Sequence, residues 1–217
     1  MGPFQLTPAE ARVLGALMEK ETTTPEYYPL SLNALVNACN QRSNREPVMT
    51  LGEEDVRQAL NGLQDKQLAG PARSADGRVT KYEHWLGEAF NFSRAEGALV
   101  CVLLLRGSQT PGELRGRTER MHIFAEIADV LSGLEKLMQR EPPIVAVLPR
   151  QPGTKESRYA HLLSGPAESF ALSYAPELAS ARDTPSRDER IARLETTVDE
   201  LRQQISVLQQ RLDSLLG

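Results

Sequence analysis

One short polar segment, residues 40–49, holds the densest group of side chains that could bind a ligand. Its candidate contact residues are Asn40, Gln41, Arg42, Asn44 and Arg45. Arginine, asparagine and glutamine form bidentate contacts with phosphates and base edges, so one interpretation is a loop that contacts nucleic acid or another anion. The alternative is a loop whose carboxamides bond to its own backbone, with Arg45 paired to Glu46 or another carboxylate. The sequence leaves both interpretations open.

The elements that must position this segment occur twice in the chain. Four matches appear in the same order in both halves: residues 6–14 with 92–100, 24–25 with 110–111, 55–63 with 129–137, and 81–86 with 158–163. Ordered matches of this kind predict one small domain duplicated in tandem. A feature of both copies is then expected to belong to the fold, whereas a feature of one copy is a candidate for function. The polar segment occurs only in the first copy.

Each copy is predicted to contain three helices. Capping boxes that pair a hydroxyl with a carboxylate three residues later predict helix starts. They are Thr7 with Glu10, Ser93 with Glu96, Thr110 with Glu113, and Thr50 with Glu53. The third helices are expected to bury Val56, Leu60 and Leu63 in copy one, and Ile127, Val130 or Leu131, Leu134 and Leu137 in copy two.

Each copy is also predicted to end in a β-hairpin. Asp76-Gly77 is a strong turn signal in the first copy, and Pro152-Gly153 is its counterpart in the second. Alternation should place Tyr82, His84 and Leu86 on one strand face, and likewise Tyr159, His161 and Leu163. Three helices and a hairpin are typical of a winged helix-turn-helix domain. The predicted fold is therefore mainly α with small β-hairpin wings (α+β), with winged-helix domains at residues 1–88 and 89–170.

The remaining chain is predicted to form a linker over residues 171–185 and a coiled-coil helix over 186–217. Apolar residues recur there at alternating spacings of three and four, at Ile191, Leu194, Val198, Leu201, Ile205, Leu208, Leu212 and Leu215. This heptad pattern favours a parallel two-stranded coil and therefore a homodimer. An antiparallel pair, or a single helix packed back on its own domains, are the alternatives.

Several runs of the sequence together resemble one family. They are residues 10–15, 23–49, 78–82, 103–115 and 212–216, and they are similar to the signature of the YceH-like bacterial family. The Cys-Asn-Gln-Arg-Ser-Asn-Arg-Glu-Pro run over residues 39–47 is the most specific part of the match. The resemblance implies a pair of winged-helix domains. It implies no activity and supplies no catalytic residues.

The charge pattern argues against ordinary major-groove binding by the third helices. The net charge is −4, and the first copy's third helix begins Glu53-Glu54-Asp55, which would face phosphates unfavourably. Basic residues collect on the predicted hairpins and on or after the second helix of copy two. The further candidate contact residues are Arg78, Lys81, Arg115, Arg117, Arg120, Lys155 and Arg158. The alternative is that these side chains are simply solvated surface.

Groups suited to catalysis or metal binding are sparse. Cys39 and Cys101 lie outside any metal-ligand spacing and are predicted to be buried thiols. His84 and His161 occupy equivalent positions in the two copies, which predicts a structural role, and His122 has no identifiable partner. No glycine-rich phosphate loop or nucleophile motif occurs. We therefore expect no enzymatic activity, no metal and no cofactor.

The sequence predicts a cytoplasmic protein without membrane association. The amino-terminal region lacks a basic stretch followed by an apolar run, and the apolar stretch 98–105 is far shorter than the roughly 20 residues of a membrane helix. The leading functional hypothesis is a dimeric tandem winged-helix protein that binds duplex DNA as a regulator or accessory factor. The alternative is a protein–protein adaptor that does not bind DNA.

Overall fold

The computed structural model describes residues 5–72, 79–149 and 156–165. The chain divides into two compact units, Met1–Ser173 and Tyr174–Gly217, and all described residues belong to the first. The predicted linker, the predicted coiled-coil helix and both predicted hairpin turns lie outside the described residues. The same holds for the candidate contact residues Arg78 and Lys155.

The described residues form a mixed fold of helices and small antiparallel sheets, in agreement with the predicted α+β class. In the first half the elements are α1 (Pro8–Thr23), a 3-10 helix (Pro25–Tyr27), β1 (Leu30–Ser31), α2 (Leu32–Cys39), α3 (Glu53–Asp65), β2 (Ala69–Pro71) and β3 (Lys81–His84). In the second half they are α4 (Leu86–Phe90), α5 (Arg94–Arg106), α6 (Pro111–Thr118), α7 (Ile127–Met138), β4 (Val145–Val147) and β5 (Tyr159–His161). After α4, the second half thus has three helices followed by two paired strands, the order that α1, α2, α3, β2 and β3 follow in the first half.

The first half has a larger sheet than the sequence predicts. Its strand order is β1-β3-β2, all antiparallel, with Leu30 opposite Tyr82. In the second half, β4 pairs with β5, with Val145 opposite His161, and Gln109 forms an isolated antiparallel bridge with Tyr159. The prediction that Leu86 continues a strand face is wrong, because β3 ends at His84 and Leu86 begins α4.

Helix starts follow the predicted capping boxes with one exception. At α1 the Thr7 hydroxyl accepts from the Glu10 amide at 3.2 Å, while the Glu10 carboxylate accepts from the Thr7 amide at 2.7 Å. The boxes that open α5 and α6 are formed in the same way. The predicted Thr50 box is wrong, because Gly52 is the N-cap of α3 and its amide donates to the Asp55 carboxylate at 2.7 Å. The Asp55 carboxylate lies three residues after Gly52 and accepts from its amide, which is the role that the sequence predicts for the Glu53 carboxylate at Thr50.

The core joins the two halves through a close contact between α1 and α5. The Cys101 thiol donates to the Gly15 carbonyl at 3.4 Å, and a Cβ on Gly15 would meet the Leu105 side chain at 2.9 Å. Both cysteines are free and buried, as predicted. Since α1 belongs to the first repeat and α5 to the second, the repeats share one core.

The third helices bury the predicted residues with one difference. Val56, Leu60 and Leu63 are buried in α3, as are Val130, Leu134 and Leu137 in α7. Ile127, by contrast, is 46% exposed and Leu131 is 41% exposed, so the expectation for Ile127 is wrong. The packed face of α7 is centred near Gly133, whose missing Cβ admits Leu99, and Ile127 and Leu131 lie to the side of that face.

Candidate anion-binding cleft

A cleft of about 260 Å³ lies between α1, the polar segment, α5 and α6. Its charged and amide side chains are Glu19, Asn44, Arg106, Arg117, Glu119 and Arg120. We call this site the arginine cleft. Three candidate contact residues named from the sequence, Asn44, Arg117 and Arg120, meet here although they come from different repeats.

Arg45 lies buried and forms the base of the polar segment. Its Nη2 and Nη1 donate to the two Glu19 carboxylate oxygens at 2.6 and 3.2 Å. Its Nε donates to the Ala38 carbonyl at 3.0 Å, and Nη1 also donates to the Asn44 carbonyl at 2.8 Å. For Arg45 this agrees with the interpretation in which the arginine pairs with a carboxylate of the protein, and that carboxylate is Glu19. Arg45 therefore supports the segment from inside the protein.

A second buried arginine, Arg12, holds the two ends of the polar segment together. Its guanidinium donates to the Cys39 carbonyl at 3.1 Å and to the Pro47 carbonyl at 2.6 Å. Burial, with the nearby charge of Arg45, lowers the pKa of Arg12. Sequence reasoning missed this residue, although comparison of the two copies would have flagged it, because Ala98 stands at its place in the second copy.

The polar segment is also tied to itself and to the second repeat. The Asn40 carboxamide donates to the Leu51 carbonyl and accepts from the Leu51 amide, both at 2.8 Å. The Glu46 amide donates to the Leu105 carbonyl at 2.9 Å, and Arg106 donates to the Asn44 side-chain oxygen. Asn40 therefore closes the loop, whereas Asn44 and Glu46 connect it to α5.

The two other candidate contact residues of the polar segment differ in exposure. Gln41 is partly buried, whereas the Arg42 side chain is exposed. Among the described residues, none forms a hydrogen bond or ion pair with Arg42. Arg42 is therefore available to an external anion.

The other candidate contact residues of the second repeat are mostly engaged internally. Arg115 donates to the Phe124 carbonyl at 3.2 Å and to the Ala125 carbonyl at 2.6 Å. Arg158 donates to the Ser108 carbonyl at 2.6 Å and lies 3.0 Å from Glu113. In the first repeat, Lys81 is exposed on β3. These three basic residues are not part of the lining of the arginine cleft.

The charge balance of the arginine cleft favours an anion. Arg117 donates to the Gln109 side-chain oxygen and lies 3.6 Å from Glu113. The pKa of Arg106 is lowered, first by desolvation and then by the charge of Arg117, which indicates that like charges approach one another there. Glu19 is already compensated by Arg45, so the lining sets three arginines against the one remaining carboxylate, Glu119. Guanidinium groups bind phosphate and carboxylate oxygens in pairs, so the cleft suits such a group.

The third helices present a different surface. Arg57 of α3 lies 3.8 Å from Glu53, and Lys66 just after α3 lies 2.6 Å from Glu10. Near the end of α7, Arg140 lies 3.2 Å from Glu96. Most cations of these helices are therefore paired with a carboxylate of the same molecule.

Two further features concern metals and membranes. Within residues 5–72, 79–149 and 156–165, no three His, Cys, Asp or Glu side chains are grouped so that they could hold a metal ion. No helix in the described part of the chain is long and apolar enough to cross a membrane.

Comparison with known proteins defines the family. The family described as "Protein of unknown function, DUF480" matches residues 6–154, and the chain belongs to it. A UPF0502 protein of Koribacter versatilis is 57% identical over 199 residues, covering 90% of both chains. A UPF0502 protein of Pelobacter propionicus is 52% identical over 213 residues, covering 98% of this chain and 97% of the other. The UPF0502 protein YceH of Salmonella paratyphi B is 47% identical over 220 residues, with 99% and 97% coverage. The resemblance to the YceH-like family is thus confirmed.

Proposed function

We propose that the protein is a non-enzymatic, cytoplasmic DNA-binding accessory factor or regulator that acts as a dimer. It binds DNA phosphates through the arginine cleft and the neighbouring Arg42 rather than through the third helices. The observation that carries this proposal is the convergence of Asn44, Arg117 and Arg120 from two repeats around one cleft.

Two winged-helix domains, residues 1–88 and 89–170, are the architecture that this proposal assumes. Both repeats have three helices followed by two paired antiparallel strands, which supports it. The third helices also begin alike, since the Gly52 amide donates to Asp55 and the Glu126 amide donates to Asp129.

The charges favour one of two docking modes. A third helix in the major groove would bring Glu53, Glu54 and Asp55 towards phosphates, and the repulsion would weaken binding. The arginine cleft instead presents Arg120 as an exposed cation, and Arg42 is exposed in the polar segment that contributes Asn44 to the cleft. No other described residue forms a hydrogen bond or ion pair with either of them.

Fluorescence anisotropy with a labelled duplex of mixed sequence tests the proposal across a series of salt concentrations. The full-length double variant Arg42→Ala/Arg120→Ala should bind more weakly. The plot of log affinity against log salt has a negative slope, and its magnitude should decrease by about 0.9 for each phosphate that the variant no longer neutralises. The matched control is Arg57→Ala/Lys136→Ala, which removes two exposed cations from the third helices and should leave the slope unchanged.

The outcomes separate the alternatives. If the wild-type protein does not bind duplex DNA even at low salt, the DNA-binding proposal is wrong. If the third-helix variant loses affinity while the Arg42/Arg120 variant does not, DNA docks on the third helices instead.

Dimerisation is proposed from the heptad pattern of residues 186–217. Deleting these residues should convert a dimer to a monomer in multi-angle light scattering. An unchanged number of chains per particle would contradict the coiled-coil hypothesis.

A protein–protein adaptor is the second candidate, and one observation favours it. Ile123 is 76% exposed just before α7, and Ile127 and Leu131 are exposed on α7 itself. Grouped exposed apolar residues are typical of protein-contact surfaces. Under this hypothesis, a protein captured from nuclease-treated lysate by the wild type should be lost with Ile127→Asp. Capture that disappears with nuclease alone would instead support DNA binding.

A further inference from the structure

A second cavity, of about 200 Å³, lies beside the contact between α1 and α5. Its apolar wall is formed by Met18, Leu86, Phe92, Ala98 and Met121. Met121 is the one described residue that it shares with the arginine cleft, so the two sites are distinct. A cavity of about 150 Å³ can hold benzene, so this one has room for a ligand slightly larger than a benzene ring.

Two glycines line this cavity. A Cβ built on Gly97, inside α5, meets no atom within 4 Å, and the same is true of Gly87 in α4. Glycine is the least favoured helix residue after proline, and no neighbouring atom requires a small residue at Gly97. At Gly15, by contrast, a Cβ would meet the Leu105 side chain at 2.9 Å. Close packing therefore explains why position 15 needs a glycine, whereas position 97 has open space where a side chain would lie.

Arg94 supplies a positive charge to the cavity. Its Nε donates to the Met121 carbonyl at 3.2 Å, which holds this exposed side chain at the rim of the cavity. The described part of the chain provides no hydrogen-bond partner for its two Nη groups. A guanidinium held in this way can donate both Nη groups to one carboxylate.

Glu21 supplies a negative charge to the same cavity. The Leu86 amide donates to His84 Nδ1 at 3.3 Å, so the ring proton lies on Nε2, which is 2.9 Å from a Glu21 carboxylate oxygen. The hydrogen bond from His84 lowers the pKa of Glu21, so this carboxylate is ionised near neutral pH. The cavity lining therefore carries opposite charges on Glu21 and Arg94, beside an apolar wall.

We propose that this cavity binds a small apolar α-amino acid. The ligand carboxylate pairs with Arg94, its ammonium pairs with Glu21, and its side chain packs against Met18, Phe92 and Met121. A simple carboxylic acid would be repelled by Glu21, and a simple amine would be repelled by Arg94. A zwitterion matches both charges. This inference does not depend on DNA binding.

Isothermal titration calorimetry of the full-length protein tests the ligand class. The amino-acid probes are leucine, methionine and phenylalanine; the matched probes are 4-methylpentanoate, which lacks the ammonium of leucine, and 3-methylbutylamine, which lacks its carboxylate. At least one amino acid should bind, and each matched probe should bind about tenfold more weakly than leucine, because each lacks one charged hydrogen bond. If no amino acid binds at millimolar concentration, or if leucine and its matched probes bind equally, the proposal is wrong.

Variants then test the position of the ligand. Arg94→Gln should abolish the preference for leucine over the amine, and Glu21→Gln should abolish its preference over the acid. Gly97→Leu should fill the cavity and abolish binding. Its control is Gly116→Leu, since Gly116 is another helical glycine whose Cβ would meet no atom within 4 Å. Thermal unfolding verifies that both variants fold, and leucine binding that survives in folded Gly97→Leu would overturn the proposal.

Discussion

The two repeats differ most in the connection between their second and third helices. In the first repeat, the polar segment is held from inside by Arg12 and Arg45 and reaches across to α5. In the second repeat, the shorter connection between α6 and α7 is held by Arg115, which donates to the Phe124 and Ala125 carbonyls of its own repeat. One connection therefore joins the repeats, whereas the other only closes a turn.

This comparison changes what a one-copy feature indicates. A segment present in a single copy is a candidate for function, and Asn44 and Arg42 of the polar segment remain candidates. The buried pair of Arg45 with Glu19, however, lies within the first repeat and supports the segment whose Asn44 and Glu46 contact α5. A difference between copies therefore marks the interface of the repeats as well as a candidate ligand site.

The largest expected effect comes from breaking the buried pair in the first repeat. Arg45→Met removes the guanidinium that binds both oxygens of the buried Glu19 carboxylate and leaves Lys20, 3.8 Å away, as its cationic neighbour, so the free energy of unfolding should fall by about 3–5 kcal/mol. The matched change in the second repeat, Arg115→Met, removes hydrogen bonds to carbonyls from an exposed side chain and should cost about 1 kcal/mol. Urea unfolding of both variants measures the difference.

The double variant Arg45→Met/Glu19→Met provides the control for this comparison. It removes both charges and should lose less stability than Arg45→Met alone. Equal losses in Arg45→Met and Arg115→Met would show that the two connections contribute alike, although one joins the repeats and the other does not.

The equivalent histidines of the two repeats give the next contrast. His84 lies 2.9 Å from Glu21 near the surface, whereas His161 is 3% exposed and burial lowers its pKa to about 4. An unfolded histidine has a pKa of about 6.5. As the pH falls below about 6.5, His161 binds a proton in the unfolded chain but stays neutral in the folded protein, so the free energy of unfolding decreases. This decrease is complete below about pH 4.

His161→Gln isolates that contribution. Wild-type protein should lose about 3 kcal/mol from this residue between about pH 6.5 and 4, and the variant should lack that part of the pH dependence. Urea unfolding at several pH values measures both slopes. Parallel curves for the two proteins would show that His161 takes up its proton without unfolding.

Local patterns predict much of the fold, because the interactions involved span three or four residues. The boxes at Thr7, Ser93 and Thr110 are of this kind. The predicted start of α3 is wrong because two overlapping candidates, Thr50 with Glu53 and Gly52 with Asp55, fit the same spacing. Strand β1 escapes prediction because two residues are too few to show an alternating pattern.

The candidate sites could be predicted only in part, because they depend on contacts between distant residues. Asn44, Arg117 and Arg120 could each be named from residue type, but nothing in the spacing predicts that they share a cleft. Arg45 meets Glu19 and Arg12 meets the Pro47 carbonyl only after α1 and the polar segment have packed together. Hydrophobic periodicity does not predict such pairs. Comparison of the two copies does point to one of the residues, because the position of Arg12 is occupied by Ala98 in the second copy.

The smallest expected effects come from two glycines, one in a closely packed contact and the other with open space around it. Gly15→Ala places a Cβ 2.9 Å from Leu105 where the repeats meet, so overpacking should cost about 1–3 kcal/mol of unfolding free energy. Gly116→Ala lies in α6 with open space around its Cβ, so higher helix propensity should raise stability by about 0.4–1 kcal/mol. Urea unfolding measures both changes, and their opposite signs are the test. Stabilisation by Gly15→Ala would mean that α1 and α5 can separate at low cost, which would weaken the contrast between a shared core and independent repeats.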